Sequence, residues 1–98
     1  MSEVFRGIKG FLRDEGNFTK NEAKHGVTDR ECEEIFFNKP LVVTRSSKWG
    51  KEIRYVALGK TYGSRLLTVV FTVLTNRIRV ISARLMSRNE RKVYDKED

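Results

Sequence analysis

The sequence predicts an α+β domain, with helices packed on one face of an antiparallel sheet. Three observations predict it. The one proline, Pro40, separates a first part with helical apolar spacing from a second part rich in strand-type runs. Those runs are joined by short connections, as in an antiparallel meander. Two capping boxes, Thr28 with Glu31 and Ser87 with Glu90, mark helix starts before and after the strands.

Met1 to Gly10 is polar, interrupted by Glu3, Arg6 and Lys9, and reads as an N-terminal extension to a single domain over residues 11–98. Phe11-Leu12 reads as a short strand or turn that feeds a helix, with Asp14 at its N-cap. The helix-like stretch Phe18 to His25 ends at Gly26, the residue type expected just past a helix end. A second helix starts at Thr28, where Val27 and Cys32 have the spacing of a hydrophobic staple. Cys32, Ile35 and Phe36 supply its buried face, and Asn38-Lys39-Pro40 stops it.

Leu41 to Arg45 is the first run of the meander, followed by a polar loop, Ser46 to Lys51, that carries Trp49. Glu52 to Leu58 alternates and is expected to end at Gly59. Arg65 to Leu74 is almost continuously apolar, as a central strand is. Leu74-Thr75-Asn76 reads as a tight turn into the last strand, Arg77 to Ala83. A final helix starts at Ser87, and Asp95 to Asp98 is a charged, frayed end. The expected sheet is thus a four-stranded antiparallel meander, five-stranded if a strand precedes the first helix. Two N-terminal helices and one C-terminal helix accompany it.

Composition narrows the function. Twenty Lys and Arg against 13 Asp and Glu give the 98 residues a formal net charge of +7. That charge favours a polyanionic partner, because each cation set beside a phosphate releases condensed counterions. One cysteine and one histidine supply neither a disulfide nor a zinc cluster. No Walker loop, dinucleotide fingerprint or metal-ligand spacing is present, so no cofactor is expected. Leu66 to Leu74 is the longest apolar run and falls far short of the ~20 residues of a membrane helix. These features lead us to expect a soluble cytoplasmic protein with no membrane partner.

Four short strings carry a family resemblance. Asn21-x-x-Lys24-His25-Gly26-Val27, Glu52-x-Arg54 followed by Gly59, the strand Arg77-Ile78-Arg79-Val80-Ile81-Ser82-Ala83-Arg84, and Glu90-Arg91-x-x-Tyr94 stand in order over residues 11–94. In these the chain resembles the BrnT toxins of type II toxin–antitoxin systems. It departs from their pattern at Arg13, where the family has Trp, and at Asn17, where it has Lys. The resemblance implies a RelE-like fold and metal-independent cleavage of RNA. It also implies a BrnA-like ribbon-helix-helix antitoxin as partner, through which the pair reaches operator DNA.

The chemistry of RNA cleavage sorts the candidate residues. RNA carries its own nucleophile in the 2′-OH, so an enzyme has to align it, move a proton and stabilise charge on the phosphoryl oxygens. Arg54, Arg79 and Arg84 are the candidates for holding phosphate. Lys24 and His25 are the candidates for proton transfer, although cations also suit the C-terminal end of a helix for electrostatic reasons alone. Trp49, Arg77, Glu90 and Tyr94 are candidates for RNA contact, by stacking or hydrogen bonding. Glu90 is equally explained as the capping partner of Ser87, and Tyr94 and Cys32 as core residues. Ser82 has no orienting base near it in sequence. Strand alternation puts Arg54 on a face with Glu52, Val56 and Leu58, and puts Arg77 and Arg79 together. The same rule sends Arg84 to the opposite face, so the three arginines converge only if the last strand is bulged. The alternative to an enzyme is a non-catalytic module of the same fold that binds nucleic acid or an antitoxin.

Overall fold

The structure, a computed structural model, describes residues 5–12, 26–49 and 51–97. Asp14 and the helix expected over Phe18 to His25 lie outside the described residues. The described elements are strand β1 (Gly10–Leu12), helix α1 (Asp29–Glu34) running into a 3-10 turn (Ile35–Phe37), strands β2 (Val42–Trp49), β3 (Glu52–Lys60), β4 (Leu66–Leu74) and β5 (Arg77–Leu85), and helix α2 (Arg88–Asp95).

The sheet has five strands in the order β1-β5-β4-β3-β2. β2 to β5 form the expected antiparallel meander. β1 supplies the fifth strand, and it pairs parallel to β5, so the sheet is mixed rather than wholly antiparallel. Parallel pairing requires a long connection between the two strands, and here β1 and β5 enclose the rest of the sheet in sequence. At the start of β5, the end beside β1, Thr75 and Asn76 have φ of 49° and 61°, the left-handed pair that a two-residue type I′ hairpin needs.

Three sequence expectations shift in position. Ser46 to Trp49, expected within a loop that runs to Lys51, is strand: β2 continues to Trp49 opposite Glu52, with a register shift at Ser46. Cross-strand pairing with β3 outweighs the weak strand preference of that polar stretch. Gly59 does not end β3 but lies within it. A Cβ there would stand 2.7 Å from Ile35 Cβ, so the glycine lets the 3-10 turn rest directly on the strand. Finally, Phe5 and Ile8, in the stretch read as an extension, pack against the core.

The helices cover both faces of the sheet rather than one. On the first face, Cys32 and Ile35 meet Ala57, Leu67, Val69, Phe71, Ile78 and Ala83. On the second, Met86 and Tyr94 meet Leu58, with Val42, Val56 and Leu66 packed around them. Both capping boxes form as the sequence predicts, with Thr28 accepting from the Glu31 N–H and Ser87 from the Glu90 N–H. No described helix is long and apolar enough to cross a membrane.

Candidate nucleic-acid interface

The second face gathers the arginines, and a bulge in β5 makes that possible. β4 and β5 pair Thr68 with Arg84 and Val70 with Ser82, but Phe71 with Val80 and Thr72 with Arg79. Ile81 is therefore the extra residue of a β-bulge. One added residue reverses the alternation beyond it. Ala83, Val80 and Ile78 consequently all point into the first-face core. Arg84, Ser82, Arg79 and Arg77 then share the opposite face. Within β3, Glu52 and Arg54 alternate in step with Leu58 on that same face. The bulge resolves the conflict that simple alternation left between Arg79 and Arg84.

Arg54 and Arg79 flank the same part of β4. Arg79 pairs directly with Thr72, and Arg54 lies on the strand to the other side. Arg77 and Ser82 are exposed on this face, and the Arg54 side chain retains 33% of its exposure.

The sheet is split at this end. The β3–β4 ladder stops at Tyr55 and Phe71, whereas β3 goes on to Glu52 in its pairing with β2, and β4 goes on to Leu74 in its pairing with β5. The Thr72 hydroxyl bridges the gap by donating to the Ile53 carbonyl at 2.8 Å. The resulting cleft, of about 170 Å³, is lined by Lys51, Glu52, Ile53, Tyr55, Thr72 and Val73, among others. A larger cavity of about 330 Å³ beside β1 is lined chiefly by Phe5, Ile8, Phe11, Phe36 and Phe37. It is too apolar for phosphate, so the smaller cleft is the one that matches the chemistry.

Arg84, Glu90 and Tyr94 stand where α2 meets the sheet. The Arg84 guanidinium donates to both Glu90 oxygens, at 2.6 and 2.9 Å, and to the Leu85 carbonyl at 3.2 Å. Glu90 also accepts from Thr68 Oγ1 and from the Ser87 N–H, each at 2.8 Å. The hydrogen bond from Arg84, joined by those from Ser87 and Thr68, draws the Glu90 carboxyl down to about 2, and the same pairing raises Arg84. These contacts commit Glu90 to fastening α2 to the sheet. An arginine has five N–H donors, so Arg84 still keeps donors beyond these three bonds. Tyr94 is 2% exposed, and its hydroxyl donates to the Pro40 carbonyl at 2.7 Å. A ring so placed offers no surface for base stacking.

Lys24 and His25 lie outside the described residues. Their neighbour Gly26 has φ of 64°, the left-handed conformation suited to a helix end, and its carbonyl accepts from Arg65 at 3.0 Å. Arg65 also pairs with Glu31 at 2.7 Å, which ties the start of α1 to the start of β4. Trp49 occupies the strand position opposite Glu52. Cys32 is buried, and burial next to Asp29, Glu31 and Glu33 pushes its thiol up to about 12, so it stays protonated and inert. Among the described residues, no three His, Cys, Asp or Glu side chains gather as a metal site would need.

Sequence reasoning underrated two residues of this face. Thr72 reads simply as part of an apolar run, and only the split between β3 and β4 gives its hydroxyl a task. Glu52 reads as a salt-bridge partner for Arg54, and that contact is present at 3.3 Å. Yet the sequence held a signal, because Glu52 is the one acidic residue on any of the five strands.

A small α+β domain that collects several arginines on one sheet face has the make-up of a protein that handles a polyanion. Comparison with known proteins makes the class specific. The model of the family described as "Ribonuclease toxin, BrnT, of type II toxin-antitoxin system" matches residues 14–90. The chain belongs to that family. Its fold is also similar to the 1.1 Å crystal structure of the Brucella abortus ribonuclease toxin BrnT, with a TM-score of 0.58 and 23% identity. That match covers 81% of this chain and 97% of the Brucella one. No curated protein matches the chain.

Proposed function

We propose that this chain is a metal-independent endoribonuclease toxin of RelE-like layout that cuts RNA through attack of the 2′-OH. The observation that carries the reading is the Ile81 bulge, which turns Arg79 and Arg84 to the face that also holds Arg54. Arginines so grouped can hold the scissile phosphate and stabilise the charge that develops on its oxygens, with bidentate geometry that a lysine lacks. Arg77 extends the basic surface along the RNA, and Lys24 and His25, next to the anchored Gly26, complete the proposed set for proton transfer. Trp49 is retained as a candidate for base contact. A BrnA-like ribbon-helix-helix antitoxin would neutralise the toxin, in keeping with its type II family.

The test is incubation of the purified protein with labelled RNA in EDTA, beside the Arg54→Ala/Arg79→Ala variant. Cleavage by the wild type that leaves 2′,3′-cyclic phosphate ends, and a loss of at least about 10²-fold in the folded double variant, are expected. The second reading, a non-catalytic module of the same fold, draws on the commitment of Arg84 to Glu90. Tight RNA binding without cleavage by the folded wild type would select it.

A further inference from the structure

From the geometry around the cleft we propose that Glu52 is the general base of the reaction, a role that rests on the ribonuclease reading above. Three observations converge on it. Among the described strands Glu52 is the one carboxylate, and alternation sets it on the arginine face in step with Arg54. Its Oε2 accepts from Arg54 Nε at 3.3 Å, so a phosphate held by Arg54 has the adjoining ribose close to this carboxylate. It also lines the 170 Å³ cleft where β3 and β4 part, with 27% of its side chain exposed and thus open to substrate. The other described carboxylates are placed elsewhere. Asp29, Glu31, Glu33 and Glu34 belong to α1 against the first face, Glu90 is held by Arg84, and Asp95 and Glu97 stand at the far end of α2.

The step balances with water as the only other reactant. Glu52 takes the proton of the 2′-OH as the 2′-oxygen forms its bond to phosphorus. The bond from phosphorus to the 5′-oxygen breaks, and that oxygen leaves with a proton from solvent. The products are a 2′,3′-cyclic phosphate and a 5′-hydroxyl, and Glu52 then returns its proton to water. Arg54 and Arg79 carry the phosphoryl charge throughout, so base and electrophilic clamp occupy adjacent positions on one face.

The experiment compares wild type with Glu52→Gln on two RNAs of one sequence, one normal and one with a bridging sulfur in place of the scissile 5′-oxygen. Both proteins are also measured in an Arg54→Lys background on the sulfur substrate, whose easy leaving group keeps slow variants measurable. The expected result is a loss of about 10²–10⁴-fold for Glu52→Gln on both substrates, with RNA affinity retained and the loss persisting beside Arg54→Lys. A loss confined to the normal substrate would make Glu52 the proton donor to the leaving group and overturn the assignment. A loss that disappears beside Arg54→Lys would show that Glu52 only positions Arg54, and overturns it too. Equal cleavage by both proteins removes Glu52 while the ribonuclease reading stands. A wild type that cuts neither RNA takes down both.

Discussion

Phe71 and Thr72 are adjacent in β4, yet they belong to two different kinds of surface. Phe71 packs into the first face against Phe5, Phe36 and Tyr55, with ring centroids 5.2 to 6.0 Å apart. Thr72 points the other way, between the arginine-bearing ends of β3 and β5. The first face is closed by α1, the 3-10 turn and the aromatic residues around β1, and almost every contact there is apolar. The second face is divided. One half is covered by α2 and sealed by Leu58, Met86 and Tyr94, while the other half presents Glu52, Arg54, Arg77 and Arg79 beside a cleft. Folding energy is thus concentrated on one face, and the other gives up half its area to polar groups. In a domain of this size only a few kcal/mol separate folded from unfolded, so this division limits what the second face can lose.

The comparison can be tested from both sides. The largest stability effect belongs to the closed face: Phe71→Ala should cost about 3–5 kcal/mol, because it removes a ring buried among three others. Urea unfolding would measure this, and a loss below about 1 kcal/mol would mean that the aromatic cluster is not the main support of the fold. On the divided face, Arg84→Ala and Arg79→Ala should behave differently. Arg84→Ala should cost about 1–3 kcal/mol by leaving Glu90 without its charged partner, whereas Arg79→Ala should cost under about 1 kcal/mol. Equal unfolding midpoints for these two variants would contradict the fastening role of Arg84.

The Glu90 carboxyl sharpens the same contrast through pH. Its folded value is depressed from 4.5 to about 2, so the stability it contributes is fully present above pH 4.5 and is lost as pH falls toward 2. About 1–2 kcal/mol should go in that window, allowing for solvent at the half-exposed Arg84. Glu90→Gln should flatten that part of the acid unfolding profile, and an unchanged profile would remove Glu90 from it. The smallest effect is expected for Tyr94→Phe, about 1 kcal/mol, because the Pro40 carbonyl loses its donor while the ring still fills the core. Guanidinium unfolding would detect it as a shift in midpoint without a change in slope.

Much of this architecture was legible in the residues themselves. Both capping boxes, the hairpin at Thr75-Asn76, the apolar central strand and the α+β class follow from local chemistry, where spacing and side-chain type act within a few residues. The family resemblance was also readable there, since its motifs are short strings in order. Local rules could not reveal that β1 pairs parallel with β5, because that contact joins residues separated by most of the chain. Nor could they reveal that the glycine in β3 makes room for Ile35 rather than ending the strand.

The candidate site divides in the same way. By itself the sequence determined that arginines would be available in pairs along strands, that Glu52 would accompany Arg54 on one side of β3, and that a polyanion was the fitting partner. Tertiary structure alone decided which of these groups meet. One extra residue at Ile81 turned Arg79 and Arg84 to the same side, the early end of the β3–β4 ladder opened the cleft, and docking of α2 tied Glu90 to Arg84 and the Tyr94 hydroxyl to the Pro40 carbonyl. The physical reason is that register, bulges and ladder ends are set by pairing between strands and by what each face must bury, and no single strand contains that information.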